Sequence, residues 1–128
     1  MKISHLDHLV LTVRNIAKTV TFYQSVLAME KICFGDGRVA LLFGEQKINL
    51  HQQGKEFSPN AGNACSGSAD LCFILKTTID DAIDHLTSCG VEIIEGPVAR
   101  TGARGPIVSV YFRDPDYNLI EISTYENS

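Results

Sequence analysis

The feature that most restricts this chain is that its second half repeats the order of its first. Residues 7–13 alternate as a half-buried strand does, with Leu9, Leu11 and Val13 on one side and His8, Val10 and Thr12 on the other. Ile16, Val20, Tyr23 and Leu27 then recur at spacings of three and four, the period of a helix, and Asn15 stands where an N-cap belongs. Strands are expected at Glu30–Phe34, Arg38–Phe43 and residues 47–51, with the turns Gly35-Asp36-Gly37 and Gly44-Glu45-Gln46 between them. The same succession returns after residue 68. A strand at 70–75 precedes a helix through Ile79, Ala82, Ile83 and Leu86, capped by Thr77 or Thr78 and closed at Gly90. Strands at 91–95, 107–113 and 118–124 complete the copy.

The copies match Val13 with Leu75, Ile16 with Ile79, Ala28 with Gly90, Phe43 with Phe112 and His51 with Glu121. A single insertion, the Gly- and Pro-containing loop 96–106, absorbs the change of offset from 62 (75 − 13) to 69 (112 − 43). The expected architecture is therefore α+β: two tandem βαβββ modules, at 1–52 and 69–128, joined by a linker at 53–68 within one domain of 128 residues.

Each module covers one sheet face with its helix, and the informative residues fall on the other. His8 points away from Leu9, Leu11 and Val13; His51 from Ile48 and Leu50; Glu121 from Ile120 and Ile122. Asp70 stands where the second copy would repeat His8. Two readings are open. The side chains are hydrogen-bonded core or surface residues, as His5 before the strand and His85 in the helix are expected to be, or two imidazoles and a carboxylate bind a divalent ion. Zn, Fe, Mn, Ni and Co all accept such donors, and three protein ligands leave positions for water or substrate. Asp70 is a shorter and weaker fourth candidate.

The stretches Leu6-Asp7-His8-Leu9-Val10-Leu11-Thr12-Val13, Phe22-Tyr23 and Phe112-Arg113-Asp114-Pro115-Asp116-Tyr117-Asn118-Leu119-Ile120-Glu121 resemble the vicinal oxygen chelate superfamily of glyoxalases, bleomycin-resistance proteins and dioxygenases. Lys47-Ile48-Asn49-Leu50-His51 and Gly102-Ala103-Arg104-Gly105-Pro106-Ile107 look like small members of the glyoxalase domain-containing group. The resemblance implies paired βαβββ modules whose sheets curl into a U-shaped metal cavity. It implies ligands on the first and last strand of each module, here His8, His51, Asp70 and Glu121, and an ion that chelates neighbouring substrate oxygens. Asp70 departs from the stronger ligand that glyoxalase I carries.

Around this set, Glu121 and Tyr111 are the candidate catalytic groups, and Arg100, Arg104 and Arg113 the candidate substrate-binding groups. Arg100 and Arg104 lie in the 96–106 loop, either as solvated surface residues or as guanidinium forks for a carboxylate or phosphate. Tyr111 and Arg113 flank Phe112 and face the cavity if Phe112 packs on the helix. Lys55, Glu56 and Phe57 form a candidate lid in the linker.

Two function classes lead, with a retired enzyme kept as a protein-interaction partner as a third. One is a metal-dependent enzyme acting on a small oxygenated metabolite by lyase, isomerase, dioxygenase or thiol-transfer chemistry. The other is a sequestration protein of the bleomycin-resistance type. The net charge of −4 argues against nucleic acid and anionic membrane partners. No apolar run reaches the ~20 residues of a membrane span, and the opening residues lack the apolar core of a secretory leader. A cytoplasmic chain with reduced cysteines is expected, paired as a homodimer through its sheet edges.

Overall fold

The computed structural model describes residues 1–126, and it separates into two compact units, Met1–Gly67 and Ser68–Ser128. The fold is mixed α+β, each unit holding a four-stranded mixed sheet and one helix.

In the first unit β1 (His8–Val13), α1 (Ile16–Leu27), β2 (Glu30–Phe34), β3 (Arg38–Phe43) and β4 (Gln46–Gln52) follow in order. The sheet runs β1-β4-β3-β2, with β1 parallel to β4 and the other neighbours antiparallel. The Asn15 side chain accepts the Lys18 amide at 2.9 Å and starts α1, as expected of an N-cap. Ala28 ends the helix in the left-handed region at φ 54°. Leu11, Val13, Leu41, Ile48 and Leu50 are buried together with Val20, Tyr23 and Val26 of α1, and they form the apolar layer between helix and sheet. The expected strand and helix limits hold to within a residue at each end. Residues 53–67 carry neither helix nor strand.

The second unit repeats the plan with β5 (Asp70–Ile74), α2 (Ile79–Ser88), β6 (Glu95–Gly102), β7 (Gly105–Arg113) and β8 (Leu119–Tyr125), ordered β5-β8-β7-β6. Thr78 is the N-cap of α2, accepting the Asp81 amide at 3.1 Å. Asp80 and Asp81 sit in the first turn, where the helix dipole favours them. Leu86 of α2 is buried, as are Val110, Phe112, Ile120 and Ile122 of the sheet.

One expected element is displaced. The strand expected at 91–95 begins only at Glu95 and runs to Gly102, through the segment expected to be a loop. Pro97 can donate no ladder hydrogen bond, but β6 is an edge strand, where that loss is tolerated. A bulge between Glu95 and Val98 absorbs the irregular stretch, and Gly102 pairs with Gly105 across a tight hairpin. Residues 96–106 are therefore not an inserted loop. They form most of a hairpin.

Candidate functional site

The helix-free face of the second sheet is built around Glu121. Side chains alternate, so Glu121 shares its face with Ser123 on β8, Ser109 and Tyr111 on β7, and Asp70 and Cys72 on β5. The Ser109 hydroxyl donates to Glu121 Oε2 at 2.6 Å, and the Ser123 hydroxyl lies 3.4 Å from the same oxygen. The two hydroxyls are 2.6 Å apart, and the Cys72 thiol is 3.3 Å from Ser123. Ser109 and Ser123 are fully buried, so the carboxylate is held at one oxygen by hydroxyls that cannot turn to water. Supporting hydrogen bonds of this kind orient a metal-binding or proton-transferring carboxylate. Burial pushes the Cys72 thiol up, with the neighbouring Glu121 and Asp70 charges adding to the effect.

Tyr111 stands opposite Glu121 on the antiparallel ladder. Arg100 Nε donates to its phenol oxygen at 3.0 Å, and Arg100 Nη2 donates to Glu95 at 2.8 Å. Desolvation raises the Tyr111 pKa. The Arg100 hydrogen bond works the other way, and the Glu121 carboxylate raises it further. The phenol thus keeps its proton while its oxygen is already held by a cation. Arg100 and Tyr111, expected in separate roles, belong to one network.

The other two arginines lie apart from it. Arg113 Nη1 donates to the Tyr117 carbonyl at 3.3 Å, within the turn before β8. Arg104 occupies the β6–β7 hairpin and lies over the Tyr125 ring at 4.3 Å. Tyr125 is four residues along β8 from Glu121, about 13 Å at strand rise. Arg104 instead lines a cleft of ≈ 450 Å³ with Ile74, Lys76, Pro106, Thr124 and Tyr125.

In the first sheet, His8 opens β1 with its Nδ1 2.8 Å from Asp7 Oδ2. The bond to His8 lowers the Asp7 pKa. This carboxylate–imidazole pairing leaves Nε2 as the ring atom available to an ion, the arrangement that metal-binding histidines commonly use. His51 is 6% exposed, and its Nδ1 has no hydrogen-bond partner among the described residues. Phe57, from the expected lid segment, meets the His51 ring edge-on at 5.5 Å, and Arg38 stacks on Phe57 at 4.5 Å. Glu56 folds back beside them, its carboxylate accepting the Gly54 amide at 2.8 Å. Backbone amides hold that carboxylate below its usual range.

The ladder does not bring His8 and His51 together. His8 stands opposite Lys47 and His51 opposite Thr12, four steps apart and about 13 Å along the strands. Donors to one ion must converge to about 2 Å from it. Among the described residues no three His, Cys, Asp or Glu side chains are grouped to hold a metal.

The register also revises the internal match. In the second sheet Asp70 pairs with Leu119 and Cys72 with Glu121. In the first, His8 pairs with Lys47 and Val10 with Asn49. His8 and Asp70 are therefore equivalent, as expected, but the residue equivalent to Glu121 is Asn49, and His51 corresponds to Ser123. Asn49 is 9% exposed, and its Oδ1 has no partner among the described residues. Sequence reasoning missed it. A polar residue between Ile48 and Leu50 was the available signal.

The profile of the Glyoxalase/Bleomycin resistance protein/Dioxygenase superfamily matches residues 5–122, and the chain belongs to that superfamily. It is 55% identical to Virulence protein STM3117 of Salmonella typhimurium, over 98% of this chain and 87% of the relative. A solved integron cassette protein from the V. cholerae mobile metagenome shares 63% identity at a TM-score of 0.97, with 98% of each chain covered. More distant is a mutant of the fosfomycin resistance protein FosX from Listeria monocytogenes, solved with Mn(II) and 1S,2S-dihydroxypropylphosphonic acid. It is 25% identical at a TM-score of 0.64, over 94% of this chain and 90% of that one. Membership of this superfamily supports a metal-dependent, enzyme-like role. Among the described residues no helix is long and apolar enough to cross a membrane.

Proposed function

We propose that the protein is a divalent-metal-dependent enzyme acting on a small oxygenated metabolite. Glu121 and Asp70 are proposed as carboxylate donors and His8 as the imidazole donor. The observation that carries this reading is the preparation of Glu121, one of whose oxygens is fixed by Ser109 at 2.6 Å on a face otherwise occupied by Tyr111, Cys72 and Asp70. The Asp7–His8 pair supports it from the first unit. Asp70 lies two steps from Glu121 on the adjacent strand, a diagonal neighbour on the same face. His51, four steps from His8, is left out of the donor set. Zn, Fe, Mn, Ni and Co all suit these donors, and the Mn(II) bound to FosX makes manganese the first ion to try.

A bound ion would supply Lewis acidity toward a substrate oxygen. The chain's own residues account for the remaining steps. Tyr111 keeps its proton through burial and the nearby Glu121 charge, so it serves as donor to a substrate oxygen or its leaving group. Arg100 fixes the phenol and is itself anchored by Glu95, which sets the direction in which that proton is offered. Glu121, held at one oxygen by serine hydroxyls and neighboured by the Tyr111 phenol and the Cys72 thiol, is the carboxylate offered to the ion or to a proton.

Elemental analysis of untagged protein incubated with Mn, Fe, Ni and Zn tests the reading. Stoichiometric metal is expected in the wild type and in His51→Ala, and loss of metal in His8→Ala and Glu121→Gln. Metal-free wild-type protein, or full retention by both of the latter variants, sinks it.

A further inference from the structure

We propose that Asn49 and His51 form a hydrogen-bonding pair that binds an uncharged amide or hydroxyl group of the substrate, and that neither residue is a metal ligand. The inference rests on the enzyme reading above but on different residues. Both side chains are more than nine-tenths buried, and Asn49 Oδ1 and His51 Nδ1 have no partner among the described residues. Native proteins pair the great majority of buried polar atoms, so two orphans on one strand need an explanation.

The two residues are one apart in alternation on β4, so they share the helix-free face at a spacing of about 7 Å. Their ladder neighbours cannot satisfy Asn49, because Val10 stands opposite on β1 and Ala40 on β3. Both are apolar, and Ala40 is fully buried. At His51 the ring is flanked by an aromatic side chain while Nδ1 has no hydrogen-bond partner among the described residues: Phe57 packs edge-on against it, and Arg38 backs Phe57. A ring held by apolar contact with a vacant nitrogen is organised for a group that arrives later. The third buried orphan, Thr19 Oγ1, sits alone on α1 and has no such companion.

The chemistry of the pair selects the ligand. The unpartnered atom of Asn49 is its carbonyl oxygen, which accepts hydrogen bonds from N–H or O–H. A carboxylate, phosphate or phosphonate oxygen would meet it lone pair to lone pair. The His51 nitrogen donates or accepts according to its tautomer, so it suits either end of an amide or a hydroxyl. A group carrying its own donor satisfies both atoms; an uncharged one does so without burying an unpaired charge, and Val10 and Ala40 beside Asn49 offer an ion no further donor.

Two measurements test this. In the first, Asn49→Leu and His51→Phe are compared with wild type for Tm in chelator and for metal content. Replacing an orphaned buried polar atom with an apolar group of similar size removes a cost. The expected result is therefore a Tm equal to the wild type or a few degrees above it, with metal content unchanged. A Tm lowered by more than about 5 °C in both variants would make the pair structural and overturn the proposal. Metal loss at retained Tm would put the pair in the ion's own shell, and overturns it equally. In the second, the histidine ring ¹⁵N resonances of wild-type protein are followed during titration with acetamide and, at matched ionic strength, acetate. A His51 Nδ1 shift with acetamide that is absent with acetate, and lost in Asn49→Leu, is expected. No acetamide response, or an acetate response as large, refutes the ligand class. Neither measurement uses turnover, and the wild-type titration needs no metal, so failure of the metal reading is seen separately in the His8 and Glu121 variants.

Discussion

The turn that aims β8 can be tested by removing a single carboxylate. Asp114 is 4% exposed and is the hub of the loop from Arg113 to Leu119. Its Oδ1 accepts the amides of Asp116 at 2.9 Å and Asn118 at 3.0 Å, and its Oδ2 accepts Asn118 Nδ2 at 2.8 Å. Asn118 in turn uses its Oδ1 to accept the Ala69 amide at 2.9 Å, which ties the turn to the residue before β5. Asp114→Ala leaves three donors without an acceptor in a buried site. A hydrogen bond to a charged group contributes ~1.5–3 kcal/mol, and bonds sharing one acceptor residue are not additive. The expected loss is therefore about 3–5 kcal/mol. At roughly 4 °C per kcal/mol for a chain of this size, the Tm should fall by about 12–20 °C. Asp114→Asn keeps the Oδ1 acceptor but sets one NH₂ against that of Asn118, and should lose about half as much. Urea and thermal unfolding of the three proteins, followed by circular dichroism, give both numbers. An Asp114→Ala variant within 0.5 kcal/mol of wild type would mean that the turn is held by its backbone alone, and the reasoning would be wrong.

Two further outcomes follow from the second sheet. A Cβ at Gly96 would meet the Ser109 carbonyl at 2.5 Å and Val110 Cα at 2.9 Å, at a φ of +113° that other residues avoid. Gly96→Ala should therefore cost at least about 2 kcal/mol in urea unfolding, whereas Gly44→Ala, with open space around it, should cost less. The Tyr111 phenol is raised by burial first and by Glu121 second. A raised acid stays neutral to higher pH, so ¹³Cζ-tyrosine NMR should show Tyr111 ionising above the ordinary value of ~10. Glu121→Gln should bring it part of the way down, and an unchanged or higher value would remove Glu121 from its environment.

How much of this was legible in the sequence depends on what each signal measures. The helices were legible because their caps are local chemistry: Asn15 and Thr78 each accept the amide three residues on, and no distant part of the chain is needed to see it. The strands β2 and β3 were legible because their turns carry glycines with positive φ at Gly35, Gly37 and Gly44. The strand β6 was not. Gly96, Pro97, Gly102 and Gly105 read as a loop to any local rule. Only pairing with β7, a tertiary fact, makes Val98 and Arg100 strand residues.

The candidate site shows the same division at finer scale. Alternation of side chains has a period of two, so a match between modules that slips by two residues leaves every side chain on the correct face. That is why His51 passes for the counterpart of Glu121. It lies on the right strand and the right face, and nothing in the pattern objects. The slip is already present one strand earlier. Leu41 pairs with Ile48 and Phe112 with Ile120, so the ladders match Phe112 with Leu41 rather than with Phe43. A face tolerates a shift of two residues, but an ion or a substrate does not, because the shift moves a donor by about 7 Å. It takes His51 out of register with Glu121 and puts in its place Asn49, which cannot carry a carboxylate's charge. Position within the ladder, more than the count of histidines, separates side chains that share a face.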